Sequence, residues 1–265
     1  MYEALSEELT KQQTEEYLLR IGINEIPDVT RTNLDKIVDA HQLSVPFENL
    51  DLYDLKKGVI KLETAALYEK VVVNRRGGYC FELNSLFFRL LKSIGFTVRP
   101  SQARVLRGKS EKTPPLHRST IVTIDKTDLF CDVGFGSDMP RTSLELKEGE
   151  INTDGGIYIF SFISEDWVIL KKRKENEDSN LLEISLREHF DVDFVAPNFY
   201  TSHNPESMFL KNRSVSLRRK DGHASISDST FKLVQNGQET LEEVLVRSRL
   251  DEILKEYFGI IMPII

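Results

Sequence analysis

The hydrophobic pattern of this chain changes period at Gly95, which restricts it to folds that place helices first and sheet afterwards. Before Gly95, apolar residues recur at helical spacing. A first helix is predicted over 7–22, with Tyr17, Leu18, Leu19 and Ile21 as its apolar positions and Gly22 as its stop. A second, capped by Asn33, covers 34–43 with Leu34, Ile37, Val38 and His41 on one stripe, and Pro46 lies beyond its end. A third candidate follows Thr64, with Leu67 and Val71 four residues apart. The strongest helix begins after Gly77-Gly78, carries Leu83, Leu86, Phe87, Leu90 and Leu91 on one side, and ends at Gly95 with Lys92 in its last turn.

After Gly95 the apolar residues come in short β-branched and aromatic runs: FTVRPSQARVL, STIVTID, LFCDVGFG, GIYIFSFI and DWVILKK. Charged or glycine-containing turns separate them, so they read as consecutive antiparallel strands of a barrel or sandwich. From about Asn198, two more strand-like pieces lead into a final helix over 241–258. The expected class is α+β, divided as 1–95 (a helical bundle), 96–198 (the β region) and 199–265 (a small α/β segment).

Composition excludes several kinds of protein. At 265 residues, 40% hydrophobic and 29% charged, the chain buries a core without disulfide staples and is not a disordered polymer. Two cysteines, Cys80 and Cys131, are too few for a secreted disulfide scaffold, so a reducing compartment is expected. The acidic, polar N-terminus is unlike a signal peptide, and no stretch has the length of uncharged apolar residues that a membrane span needs. The expectation is a cytoplasmic protein without a membrane partner. A net charge of −7 argues against a nucleic-acid partner. Of the two basic clusters, Lys171–Lys174 runs into Glu175 and Glu177 and reads as a solvated face. Arg218-Arg219-Lys220 stays open as an anion contact.

Chemistry concentrates around Cys80. The turn Arg76-Gly77-Gly78-Tyr79 delivers it to the first turn of the strongest helix, where unpaired N–H groups and the helix dipole favour a thiolate. The same N–H groups suit an oxyanion. Free cysteines are also common as inert core residues, and local context leaves that reading open. A nucleophilic cysteine needs a base and an orienter. Among five histidines, His41 sits on a core stripe, His189 near a helix end, and His203 and His223 among polar residues. His117 instead opens a strand, and Asp132 ends the next one after the turn DKTD. An antiparallel hairpin would bring His117 and Asp132 to the same end of the sheet. Cys131 then points to the opposite face, as a core residue.

These residues resemble a known family. Arg76-Gly77-Gly78-Tyr79-Cys80-Phe81-Glu82-Leu83-Asn84 is similar to the nucleophile signature of the arylamine N-acetyltransferases. Val45–Leu50 resembles their upstream motif, Asp132–Gly136 their aspartate motif, Tyr17–Gly22 their first helix end, and Asn198-Phe199-Tyr200 with Pro205 and Ser207 their coenzyme segment. The resemblance implies a helical bundle, an antiparallel β-barrel and an α/β lid, with a cysteine-proteinase-like triad of Cys80, His117 and Asp132. It implies ping-pong transfer from acetyl-CoA, through an acetyl-Cys80 thioester, to an arylamine, a hydrazine or an arylhydroxylamine, without a metal. It assigns Tyr200, Ser207 and Gly136 to coenzyme A, Phe47, Phe135 and Val105 to the acceptor pocket, and an Arg76–Glu48 ion pair to support of the nucleophile turn. Two residues depart from the pattern. Arg118, beside the base, is expected either to hold a coenzyme phosphate or to face solvent, and Glu206 puts an acid in a segment meant for an anionic coenzyme. Cys–His–Asp in this order also fits a transglutaminase-like amide hydrolase or transferase, and a binding protein that keeps the fold is the remaining alternative.

Overall fold

A computed structural model describes residues 3–109, 111–175 and 177–263. The helices are α1 (Lys11–Arg20), α2 (Arg31–Ser44), α3 (Leu50–Tyr53), α4 (Thr64–Tyr68), α5 (Cys80–Ile94), α6 (Val195–His203), α7 (Met208–Lys211) and α8 (Arg247–Phe258). The strands begin with β1 (Phe47–Glu48), β2 (Thr97–Val105), β3 (His117–Ile124), β4 (Thr127–Cys131) and β5 (Leu144–Glu145). They continue with β6 (Gly149–Thr153), β7 (Gly156–Phe162), β8 (Trp167–Lys174) and β9 (Glu177–Ser185). The last four are β10 (Ser214–Arg219), β11 (Gly222–Ser227), β12 (Thr230–Gln235) and β13 (Gln238–Glu243).

α5 is the structural axis of the N-terminal third. Its apolar stripe packs with Leu18, Ile37, Val38 and Val71 into a core that continues onto Val122, Leu129 and Cys131 of the sheet. Gly95 ends it in the left-handed region at φ 110°, and Phe96 N–H bonds back to the Leu91 carbonyl at 3.0 Å. α1 starts from a capping box between Thr10 and Gln13. The cap of α2 is Thr30 rather than Asn33: Thr30 Oγ1 accepts the Asn33 N–H at 3.2 Å, so the helix begins earlier than the apolar stripe suggests.

Two antiparallel sheets follow. The larger runs β5-β4-β3-β2-β9-β8-β7-β6 and curls into a nearly closed barrel around Phe130, Tyr158, Phe160, Leu170 and Leu182. β3 and β4 are joined by Asp125-Lys126, both at positive φ (49° and 68°), a turn whose twist suits a two-residue hairpin. Thr120 pairs with Cys131, so Asp132 leaves β4 at the end of the sheet where β3 begins with His117. The smaller sheet runs β1-β10-β11-β12-β13 and packs on α8 through Leu250, Ile253, Leu254 and Phe258. Its first strand belongs to the N-terminal third: Phe47 pairs with Ser216 and Glu48 with Val215. The final helix is shorter than the sequence suggests, because 238–243 form edge strand β13 and leave Leu241 and Leu245 exposed. The expected division at 198 falls within α6.

Candidate active site

Cys80 opens α5, and three close approaches fix it there. A Cβ on Gly77 would lie 1.9 Å from the Pro46 carbonyl oxygen, and one on Gly78 would lie 2.8 Å from the Glu82 side chain. Only glycines let the turn pass this close to β1, where Glu48 N–H donates to the Gly78 carbonyl at 2.9 Å. A Cβ on Gly134 would meet Cys80 Cα and Asn84 Nδ2, both at 2.8 Å, so the segment after Asp132 packs directly on the nucleophile helix.

A buried charge cluster lies beneath the turn. Arg76 Nε donates to Glu48 Oε1 at 2.9 Å and its Nη2 donates to Asp51 Oδ1 at 3.0 Å. Lys70 Nζ bonds Glu82 Oε1 at 2.7 Å and Asp51 Oδ2 at 3.0 Å. Glu82 Oε2 in turn accepts the Tyr79 N–H at 3.1 Å, capping α5 one residue before Cys80. Burial opposes ionisation of Asp51, but Lys70 and Arg76 overcome it and bring its pKa down to about 2. Tyr79 donates to Asn198, whose Nδ2 donates to the Ile60 carbonyl at 2.8 Å, tying the turn to α6.

The structure brings Cys80, His117 and Asp132 to one place, all of them buried. His117 Nε2 and Asp132 Oδ2 are 2.5 Å apart, which leaves Nδ1 for the sulfur. Burial alone would strip the proton from His117. The charges of Asp132 and then Cys80, with the hydrogen bond to Asp132, outweigh that penalty and raise its pKa from 6.5 to about 10. Asp132 is itself held: Oδ1 accepts Asn84 Nδ2 at 3.0 Å and Gly134 N–H at 2.8 Å. Gln42 Nε2 donates to the Asp132 carbonyl at 3.0 Å. Asn84, Gln42, Lys70 and Asp51 carry no assignment from the sequence. The signal for Asn84 was present, since it lies four residues after Cys80 on the same helix face.

A cleft of about 470 Å³ opens on Cys80 and His117. Phe47, Phe135 and Val105 line it, and so do Tyr200 and Ser207. Phe135 meets the His117 ring edge-on at 5.6 Å. Gly136 lines an adjoining cleft that shares Phe47, Arg107 and Phe135 with the first. Cys131 points away, buried in the helical core, where burial pushes its thiol up. His41 bonds Tyr17 Oη at 2.8 Å in the same core, and burial lowers its pKa to about 3. Arg218, Arg219 and Lys220 line a separate polar cleft of about 900 Å³ with Lys36, Arg141 and Lys172.

Arg118 takes neither of its expected places. It is 1% exposed, donates to Asp191 Oδ1 at 2.7 Å, and lies over the rings of Phe194 (4.4 Å) and Phe88 (5.4 Å). Alternation along β3 turns it away from the face that His117 uses. Glu206 does line the cleft, and it pairs with Lys211 at 2.5 Å.

A cysteine at a helix start, an imidazole held by a carboxylate, and an aromatic-walled cleft define the class of cysteine-dependent acyl-transferring folds. The N-acetyltransferase family model matches residues 30–264. Arylamine N-acetyltransferase of Escherichia coli (strain K12) is 30% identical over 92% of this chain and 87% of its own length. The structure of arylamine N-acetyltransferase from Salmonella typhimurium superposes with a TM-score of 0.88 at 30% identity, covering 95% of this chain and 92% of that one. That of the Mycobacterium marinum enzyme in complex with CoA gives 0.84 at 26% identity, covering 93% and 92%. The chain belongs to the arylamine N-acetyltransferase family.

Proposed function

We propose that this protein transfers an acetyl group from acetyl-CoA to the nitrogen of arylamines and hydrazines, and to the oxygen of arylhydroxylamines, through an acetyl-Cys80 thioester. The observation that carries the reading is the contact of His117 with Asp132 at 2.5 Å beside Cys80, inside an aromatic-walled cleft. Asp132 raises the pKa of His117 to about 10, so the imidazole enters the reaction carrying the proton that the leaving group needs.

In the first half-reaction the Cys80 sulfur attacks the thioester carbonyl. The C–S bond to coenzyme A breaks as the tetrahedral intermediate collapses, and the His117 proton goes to the departing thiolate. N–H groups of the first turn of α5 are the available donors for the oxyanion. In the second, the amine nitrogen attacks the acetyl-Cys80 carbonyl, neutral His117 takes the proton that nitrogen loses, and the thiolate–imidazolium pair is restored. Asp132 keeps the imidazole in one orientation throughout.

Phe47, Phe135 and Val105 form the apolar wall that takes a flat acceptor. Tyr200 and Ser207 contact the coenzyme arm in the cleft, and Gly136 contacts it from the adjoining one. The Arg76–Glu48 pair keeps the nucleophile turn against β1. The test is mass spectrometry of the intact protein after incubation with acetyl-CoA. One added acetyl group that Cys80→Ala abolishes is expected, and an unmodified wild-type protein would overturn the reading.

A further inference from the structure

We propose that the polar cleft framed by Lys36, Arg218 and Lys220 is a second binding site, for a small anion that carries two or more phosphate groups and no aromatic ring. The cleft shares no lining residue with the one at Cys80, and Ser137 alone with the adjoining one. Stretches far apart in sequence build it. Lys36 and Asp39 come from α2, Arg141 from the loop after Asp132, Lys172 from β8, and Arg218, Arg219 and Lys220 from the β10–β11 hairpin.

Charge in the cleft is opposite to that of the whole protein. Its six lysines and arginines face three acids, Asp35, Asp39 and Asp154, so it carries +3 in a chain of net −7. Asp35 Oδ1 is already occupied, accepting the Ser143 N–H at 2.8 Å and the Ser143 hydroxyl at 2.6 Å. Arg141 pairs with Asp39 at 2.5 Å, Lys172 lies 3.8 Å from Asp138, and Arg219 lies 3.9 Å from Asp221. Among the described residues, by contrast, no carboxylate comes within 4.0 Å of the side-chain nitrogens of Lys36, Arg218 or Lys220.

Arg218 is the fixed point of the cluster. It pairs with His223 across the hairpin, and its Nη2 donates to the carbonyls of Ser137 and Met139. Its Nε and that of Arg219 are enclosed and make no hydrogen bond, so both guanidinium groups hold donors that the protein leaves unmet. Burial lowers the Arg218 pKa, and the charge of Arg141 adds to the effect. Lys172 is lowered by burial too, with Arg218 and Lys174 adding to it. Cations held close enough to repel one another are relieved by an anion placed among them.

The lining decides the class of anion. Guanidinium forks bind phosphate oxygens in pairs, and several cations without acidic partners match more than one negative charge. Among the described residues no phenylalanine, tyrosine or tryptophan lines the cleft, so it offers no ring on which a nucleobase or an arylamine could stack. Asp138 lines the adjoining cleft and reaches Lys172 of this one, so a carboxylate marks the junction and disfavours entry of the coenzyme's phosphates.

The experiment is calorimetric titration of the intact protein with tripolyphosphate at about 0.1 M salt. Saturable binding at one site is expected. The double variant Lys36→Glu, Lys220→Glu alters two exposed side chains that do not line the Cys80 cleft, and it should weaken binding roughly tenfold or more. Saturating coenzyme A should leave the affinity within about twofold, and citrate at matched ionic strength should bind at least about tenfold more weakly. No saturable binding, binding that the double variant leaves intact, or equally tight binding of citrate would each overturn the inference. Displacement of tripolyphosphate by coenzyme A would overturn it as well, by giving the cleft to the donor. The acyl-transfer reading is tested separately, by formation of acetyl-Cys80.

Discussion

Asn84 stands one helical turn after Cys80 and donates to Asp132 Oδ1 at 3.0 Å, so the nucleophile helix also steers the carboxylate that steers the base. The same side chain accepts the Val133 N–H at 2.9 Å and donates to the Arg118 carbonyl at 2.5 Å. Asn84→Ala removes all three bonds and leaves buried partners unmet. It should cost about 1–3 kcal/mol in stability and cut acetyl-Cys80 formation roughly 10–100-fold. Thermal melting and rapid-quench acylation measure the two effects, and wild-type acylation in a folded variant would show that Gly134 N–H alone orients Asp132.

Asp132→Asn keeps the shape of the side chain but removes the charge that holds the His117 proton. By analogy with serine triads, turnover should fall roughly 10³–10⁴-fold while the fold persists. Iodoacetamide should label Cys80 of the wild type at neutral pH much faster than buried Cys131, and the substitution should erase most of that difference. Equal, slow labelling of both cysteines in the wild type would contradict an activated thiolate.

The raised His117 pKa also has a consequence for stability. The group binds its proton more tightly folded than unfolded, so its contribution is fully present below about pH 6.5. It is lost as pH rises toward about 10. The stability advantage of the wild type over His117→Gln should therefore shrink between pH 7 and pH 10, as measured by urea denaturation at each pH. A constant gap would mean that the ring is neutral in the native protein at neutral pH.

Much of this arrangement was legible in sequence because the decisive signals are local. The apolar stripe from Leu83 to Leu91, closed by Gly95, defined α5, and two runs around Asp125-Lys126 defined the hairpin that places His117 and Asp132. What stayed hidden depended on distant partners. Arg118 meets Asp191, 73 residues away, and no pattern near Arg118 announces it. At the C-terminus, Leu241, Val244 and Leu245 imitate a helical stripe, yet 238–243 pair with β12 as an edge strand. Thr30 and Asn33 are both good caps, and only the fold chooses between them.

Glycines around the site should separate crowding from backbone strain. Gly77→Ala drives a methyl group into the Pro46 carbonyl, and backbone on both sides leaves little room to yield. It should destabilise by about 1–3 kcal/mol or more and slow acylation by displacing Cys80. Gly136 has no heavy atom within 4 Å of an added Cβ but holds φ at 108°, so Gly136→Ala should cost about 1 kcal/mol through strain alone. Melting temperatures in the reverse order would mean that the nucleophile turn tolerates a shift away from β1.

Arg118 provides the sharpest division between a structural and a coenzyme-binding role. Its guanidinium is buried between Phe194 and Phe88 and shares Asp191 with Arg89, which lies 3.5 Å from the same oxygen. Removing one partner of a buried pair leaves an uncompensated charge, and here Asp191 would keep Arg89, which softens the loss. Arg118→Ala also empties the space between two aromatic rings. The expected cost is about 3 kcal/mol of stability, near the lower end for a broken buried pair. A guanidinium sealed on the far face of β3 cannot reach a coenzyme phosphate, so KM for acetyl-CoA should stay within about twofold of wild type in the folded fraction, and its dependence on salt should not change. A steep rise in that KM, with stability preserved, would mean that Arg118 leaves Asp191 for the donor.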